Sequence, residues 1–165
     1  MGLLLACVAG LLSSTSVLAD QAAQPYKGAT ALNVVSIGPN EDRCGPLPNL
    51  EAVFEGAGVD TGGGIVSVSA SGCQNIETGE IFDLMAVDTY ANGTINIVAD
   101  PFFLVPNPQT CVSSNDQPVK FDIDGGTGVF DGARGGGKFD FAFNDPNCNG
   151  QVAPTYIWFK GKIKD

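Results

Sequence analysis

From Ala31 onward the chain is written in short runs that alternate apolar and polar residues with a period of two. Val119, Phe121 and Ile123 share one face while Lys120, Asp122 and Asp124 share the other. Phe139, Phe141 and Phe143 alternate in the same way with Lys138, Asp140 and Ala142, and Ile157, Phe159 and Ile163 oppose Tyr156, Trp158, Lys160 and Lys162. That period belongs to strands whose two faces meet different surroundings. Residues 31–37, 65–70, 81–90 and 94–99 supply further strands, and no stretch of a dozen residues after Ala19 repeats with the period of a helix. About eight short antiparallel strands leave two exposed edges unless the sheet closes, so the expected architecture is all-β, an antiparallel eight-stranded barrel with a β-sandwich as the alternative.

Gly, Pro and Asn punctuate these runs. Asn92-Gly93 between two strand candidates is a strong hairpin signal, and Asn92-Gly93-Thr94 is also a glycosylation sequon, relevant only in a eukaryotic secretory host. The Pro-containing stretches 101–118 and 144–154 each hold one cysteine and read as long loops. Phe54-Glu55-Gly56-Ala57 before Gly62-Gly63-Gly64 echoes Phe130-Asp131-Gly132-Ala133 before Gly135-Gly136-Gly137, which suggests two similar hairpins.

The 165 residues favour one domain, and with 44% hydrophobic and only 16% charged residues the chain should fold despite its 22 glycines. Residues 1–19 form an uncharged apolar stretch ending Val17-Leu18-Ala19, which fits a secretory signal peptide cleaved after Ala19 and is short for a membrane span. The basic residue usual near the start of a signal is missing. Lipid attachment at Cys7, which would need residues upstream, and a buried N-terminal helix are the competing readings. Residues 20–30 read as a flexible leader and 31–165 as a single β-barrel domain.

Removing the signal leaves Cys44, Cys73, Cys111 and Cys148, an even set in an exported chain, which favours disulfides over metal ligation. Pairing Cys44 with Cys73 and Cys111 with Cys148 closes loops of about 30 to 40 residues, each bridge adding on the order of 3 kcal/mol by restricting the unfolded chain. The expected location is secreted or extracellular, or periplasmic in a bacterium.

Eight basic against 18 acidic residues give a net charge of -10, which argues against nucleic acid and anionic membrane surfaces as partners. With no histidine, Ser-His-Asp, Cys-His and His-ligated metal chemistry are excluded. The glycines around Thr127 lack the spacing of a nucleotide-binding loop, and Asp122, Asp124 and Asp131 lack the later ligands of a calcium loop, so no cofactor or metal is expected.

The segment Gly125-Gly126-Thr127-Gly128-Val129-Phe130-Asp131-Gly132-Ala133-Arg134-Gly135 resembles the strand, glycine turn and strand of the allene oxide cyclase and dirigent barrel superfamily. The likeness rests on Gly125, Gly126, Thr127, Gly128, Phe130, Ala133, Arg134 and Gly135, where the family's glycine turn is structural. It also resembles small exported microbial proteins that carry a similar segment. The resemblance implies an eight-stranded barrel whose interior holds an apolar small molecule. Allene oxide cyclases close a ring and dirigent proteins steer radical coupling, both without a bound cofactor. The expected role is therefore a secreted barrel that binds an apolar small molecule. A cofactor-free cyclase or coupling-guidance protein and a surface or host-interaction module are the alternatives, so enzymatic activity stays open. Asp88, Tyr90 and Arg134 are the candidate ligand-binding residues, because a carboxylate, phenol or guanidinium facing a water-poor lumen can stabilise developing charge.

Overall fold

The computed structural model of the chain describes residues 22–144, 148 and 154–164. In chain order its elements are β1 (Gln24–Gly38), α1 (Glu41–Cys44), β2 (Asn49–Asp60), β3 (Gly64–Asn75), β4 (Glu80–Tyr90), β5 (Gly93–Ala99), β6 (Phe102–Asn107), β7 (Val112–Asn115), β8 (Val119–Gly128), β9 (Arg134–Asn144) and β10 (Thr155–Lys164). Strands β1, β2, β3, β4, β5, β8, β9 and β10 pair in that order, and β10 pairs back onto β1. The result is a closed, eight-stranded antiparallel barrel, which rules out the sandwich alternative because closure removes both sheet edges.

Alternation decides which side chains fill it. Val119, Phe121, Ile123, Phe139 and Phe141 are buried in the core with Leu32, Val66, Val68, Ile95 and Ile163, while Lys120, Lys138, Asp140, Lys160 and Lys162 are turned to the outside or its margin. One end of the barrel carries the turns joining β2 to β3, β4 to β5 and β8 to β9. The other carries α1 and both disulfides, Cys44–Cys73 and Cys111–Cys148. At that second end Arg43 of α1 forms ion pairs with Glu51 of β2 at 2.6 Å and Asp83 of β4 at 2.8 Å and donates to Ser71 Oγ of β3 at 2.6 Å, tying the helix across three strands.

Five details depart from the sequence reading. The segment 20–30 is not a free leader throughout: β1 starts at Gln24, pairs with β10 over 24–32, and buries Tyr26 and Thr30. The seam that closes the barrel needs these residues. Strand β2 was not expected, since Gly56 and Gly58 leave two of its inward positions without side chains to signal a strand. The stretch 101–118 is not one long loop, because β6 and β7 form a hairpin that pairs with β4 at Glu80 and Ile81 and with β9 at 142–144. The hairpin continues the wall beyond the point where β5 ends and β8 begins. Beyond Phe103, β6 pairs with β7 alone, so Pro106 sits where a missing N–H is tolerated. Phe54–Ala57 lies inside β2 whereas Phe130–Ala133 lies in the β8–β9 turn, so the internal echo is not a structural repeat. Finally, the β4–β5 loop residues are Ala91 and Asn92, because Tyr90 already pairs with Gly93. Residues 1–19, expected to be a signal peptide, and most of 144–154 fall outside the described residues.

Candidate functional site

Inward parity on two strands builds the site. On β1 it selects Tyr26, Thr30 and Leu32, and on β4 it selects Leu84, Ala86, Asp88 and Tyr90. A cavity of about 70 Å³ lies in the lumen between them, walled by Val68, Ile97, Phe121, Phe139 and Phe159. Among the described residues, Asp88 is the one ionisable carboxyl along its lining, with Tyr26 and Thr30 as the other polar groups. A second void of about 50 Å³ lies toward the disulfide end, and Phe54, Leu84 and Phe141 line both.

The polar groups form a chain. The Tyr26 hydroxyl donates to Asp88 Oδ2 at 2.6 Å, and the Tyr90 hydroxyl donates to Asp60 Oδ2 at 2.6 Å. The two phenol oxygens are 3.5 Å apart. Asp60 ends β2, and its Oδ1 accepts from the backbone N–H groups of Gly62 and Gly63 at 2.7 and 2.9 Å. A Cβ at position 63 would overlap the Tyr90 ring, so glycine in the β2–β3 turn is what lets Tyr90 reach Asp60.

Burial governs the electrostatics. Asp88 is only 3% exposed, and desolvation pushes its carboxyl up to about 6, opposed by the hydrogen bond from Tyr26 and reinforced by the Asp60 charge. The Tyr26 phenol is raised well above its ordinary value, first by burial and then by the neighbouring Asp88 charge. Tyr90 is raised too, by burial and by its bond to Asp60. Neither phenol ionises at ordinary pH, so both serve as neutral hydrogen-bonding groups. The arrangement can hold one polar group of an otherwise apolar molecule and can exchange a proton with it near pH 6.

Of the three candidate residues, the structure brings Asp88 and Tyr90 together and leaves Arg134 apart. Arg134 is exposed at the start of β9, its guanidinium donating to the Ala133 carbonyl at 2.8 Å. It shares parity with Lys138 and Asp140, a signal already legible in the sequence that it faces outward. Replacing Arg134 with Ala is therefore expected to shift the urea midpoint by less than about 0.5 kcal/mol of stability. Tyr26 and Asp60 are the members the sequence reading missed. Parity with Leu32 points Tyr26 inward, but Asp60 is separated from its partner by 30 residues and signalled only by the turn after it.

The glycine-rich segment is structural. Gly125–Gly128 ends β8, and Gly128 adopts φ +64° where a Cβ would overlap the Asn92 carbonyl. Thr127 Oγ1 contacts Thr94 Oγ1 at 2.9 Å, and the Val129 N–H donates to the Asn92 carbonyl at 3.1 Å, locking the β8–β9 turn to the β4–β5 turn. Phe130 is thereby laid over Tyr90, ring centroids 4.9 Å apart, and Ala133 is fully buried beneath. Tyr156 and Trp158 stack on each other outside the barrel, 44% and 48% exposed, away from the lumen.

No family model matches the chain, and no curated protein matches it. Among solved structures it is similar to a pterocarpan synthase dirigent protein, with 15% sequence identity over 92% of this chain and 94% of that one, at a TM-score of 0.50. The barrel has the dirigent fold. At that identity the likeness carries the strand arrangement and the closure, while the lumen's side chains speak for themselves.

Proposed function

We propose that this protein is an exported barrel that takes a small, largely apolar molecule into its lumen and holds one polar group of that molecule at Asp88. The observation that carries this reading is a lumen walled by aliphatic and aromatic groups into which a single ionisable carboxyl, already oriented by Tyr26, projects. The two disulfides and the dirigent fold support export. Size limits the ligand. An apolar cavity of about 150 Å³ accommodates benzene, so the voids of about 70 and 50 Å³ must merge and widen, by movement of Phe54, Leu84 or Phe141, to take an aromatic ring.

Phenol and benzene are the simplest probes. Phenol is expected to bind at least tenfold more tightly, because its hydroxyl reaches a charged acceptor, and Asp88→Ala should erase that preference, measured by ligand-observed NMR. Failure of both probes to enter, together with native mass spectrometry showing nothing retained in protein taken from its own secretion, would overturn the reading.

A second reading is favoured by one observation, the displacement of Asp88 to about 6. A carboxyl ionising there in an apolar site suits general acid or base work in a cofactor-free ring closure or coupling-guidance step. The similar solved protein is described as a pterocarpan synthase, which supports catalysis as a use of this fold. Conversion of a retained molecule with a pH midpoint near 6, lost in Asp88→Asn, would favour this reading over simple binding.

A further inference from the structure

We propose that Tyr26, Tyr90 and Asp60 form a proton path that connects Asp88 in the closed lumen with solvent at the β2–β3 turn. The inference rests on the reading of Asp88 as the lumen's working group, and it adds a route by which that group regains or discharges its proton without opening the barrel. Four oxygen-bearing groups from β1, β2 and β4 stand in line at 2.6, 3.5 and 2.6 Å, and the last of them borders an open surface cleft with Lys27, Thr61 and Lys160. Among the described residues, Tyr26 is the one other titratable group that lines the lumen with Asp88, and β5, β8 and β10 present Ile97, Phe121 and Phe159 there.

The transfer balances without a further reactant. At rest both phenols donate outward, Tyr26 to the Asp88 carboxylate and Tyr90 to the Asp60 carboxylate, so no hydrogen lies between the two phenol oxygens. That agrees with their longer separation. When Asp88 acquires a proton, its O–H can donate to the Tyr26 oxygen, and Tyr26 turns its own hydrogen toward Tyr90. Three hops then follow: Asp88 to Tyr26, Tyr26 to Tyr90 once that turn draws the two phenol oxygens in from 3.5 Å, and Tyr90 to Asp60 Oδ2. The O–H bond of each donor breaks as that of its acceptor forms. Asp88 is left a carboxylate, both phenols remain neutral, and Asp60 carries the proton to water. The same chain run backward reprotonates Asp88.

The test uses ligand-free full-length protein, so it stands apart from whether any small molecule binds. With carboxyl-labelled aspartate, 13C NMR at the Asp88 midpoint reports how fast that group exchanges its proton. Tyr90→Phe breaks the chain in the middle. Asp60→Asn keeps an acceptor for Tyr90 but cannot take up the proton. Both are expected to slow Asp88 exchange by tenfold or more, seen as broadening or splitting of its resonance, and a merely structural role would move the midpoint without slowing the exchange. Unchanged exchange in both variants would overturn the path and leave opening of the barrel as the route.

Discussion

Asp88→Asn is expected to make the protein more stable than the parent at pH 8 and less stable at pH 4, the two stability curves crossing in between. In the unfolded chain the Asp88 carboxyl ionises near its ordinary 3.8, and in the barrel near 6. Between those values the folded protein binds more proton than the unfolded chain, so the Asp88 contribution to stability falls as pH rises through this window. A shift of about two units corresponds to about 3 kcal/mol lost between pH 4 and pH 8. Asparagine retains an oxygen to accept from Tyr26 and never ionises, which removes the loss. Its amide group, facing an apolar lumen, costs about 1 kcal/mol if left unpaired. The net is a gain of roughly 2 kcal/mol at pH 8 and a deficit of about 1 at pH 4. Urea denaturation of both proteins across this range measures it, and parallel curves would show that Asp88 is not ionised against a desolvation penalty. Under the proposed function the charge at Asp88 is what holds the ligand, so the same substitution that relieves this cost should also weaken binding.

The same parity that fills the barrel made much of it legible in advance. Phe121, Phe139 and Ile163 could be assigned inward because each alternates with lysine or aspartate, and the barrel places them in the core. Asp88 and Tyr90 were chosen for their chemistry, a carboxylate and a phenol suited to a water-poor lumen, and the parity of β4 turns both inward. Strand β2 was opaque for a physical reason, since an inward Gly56 or Gly58 packs through backbone and leaves no apolar mark. Tyr26 was hidden by its flank: Gln24, Pro25 and Lys27 read as polar leader, and only pairing with β10 turns the segment into a wall strand. Tyr26 meets Asp88 across 62 residues. No local spacing encodes such a meeting, because it is produced by closure of the barrel. Arg134 marks the converse error, a guanidinium chosen for what it could do in a lumen when its parity with Lys138 placed it outside.

Phe130→Ala is the substitution expected to cost most, about 3 to 5 kcal/mol, because it removes a buried ring at a site that can relax only by collapse of the β8–β9 turn. Volume loss is half of the argument. Phe130 lies on the Tyr90 ring and on the backbone of Gly126, so it keeps water from the Tyr26–Tyr90 pair at the end of the barrel where the turns meet. Truncation to Ala should therefore also lower the Asp88 midpoint toward its ordinary value, since desolvation is what holds it up. Phe130→Leu, which keeps most of the volume, should lose under half as much stability and leave the Asp88 midpoint nearly in place. Chemical denaturation gives the first quantity and carboxyl NMR the second. If Phe130→Ala destabilises without moving Asp88, the glycine-rich turn serves only to close the wall. If both move together, the glycine-rich turn is also what keeps the Asp88 carboxyl dry.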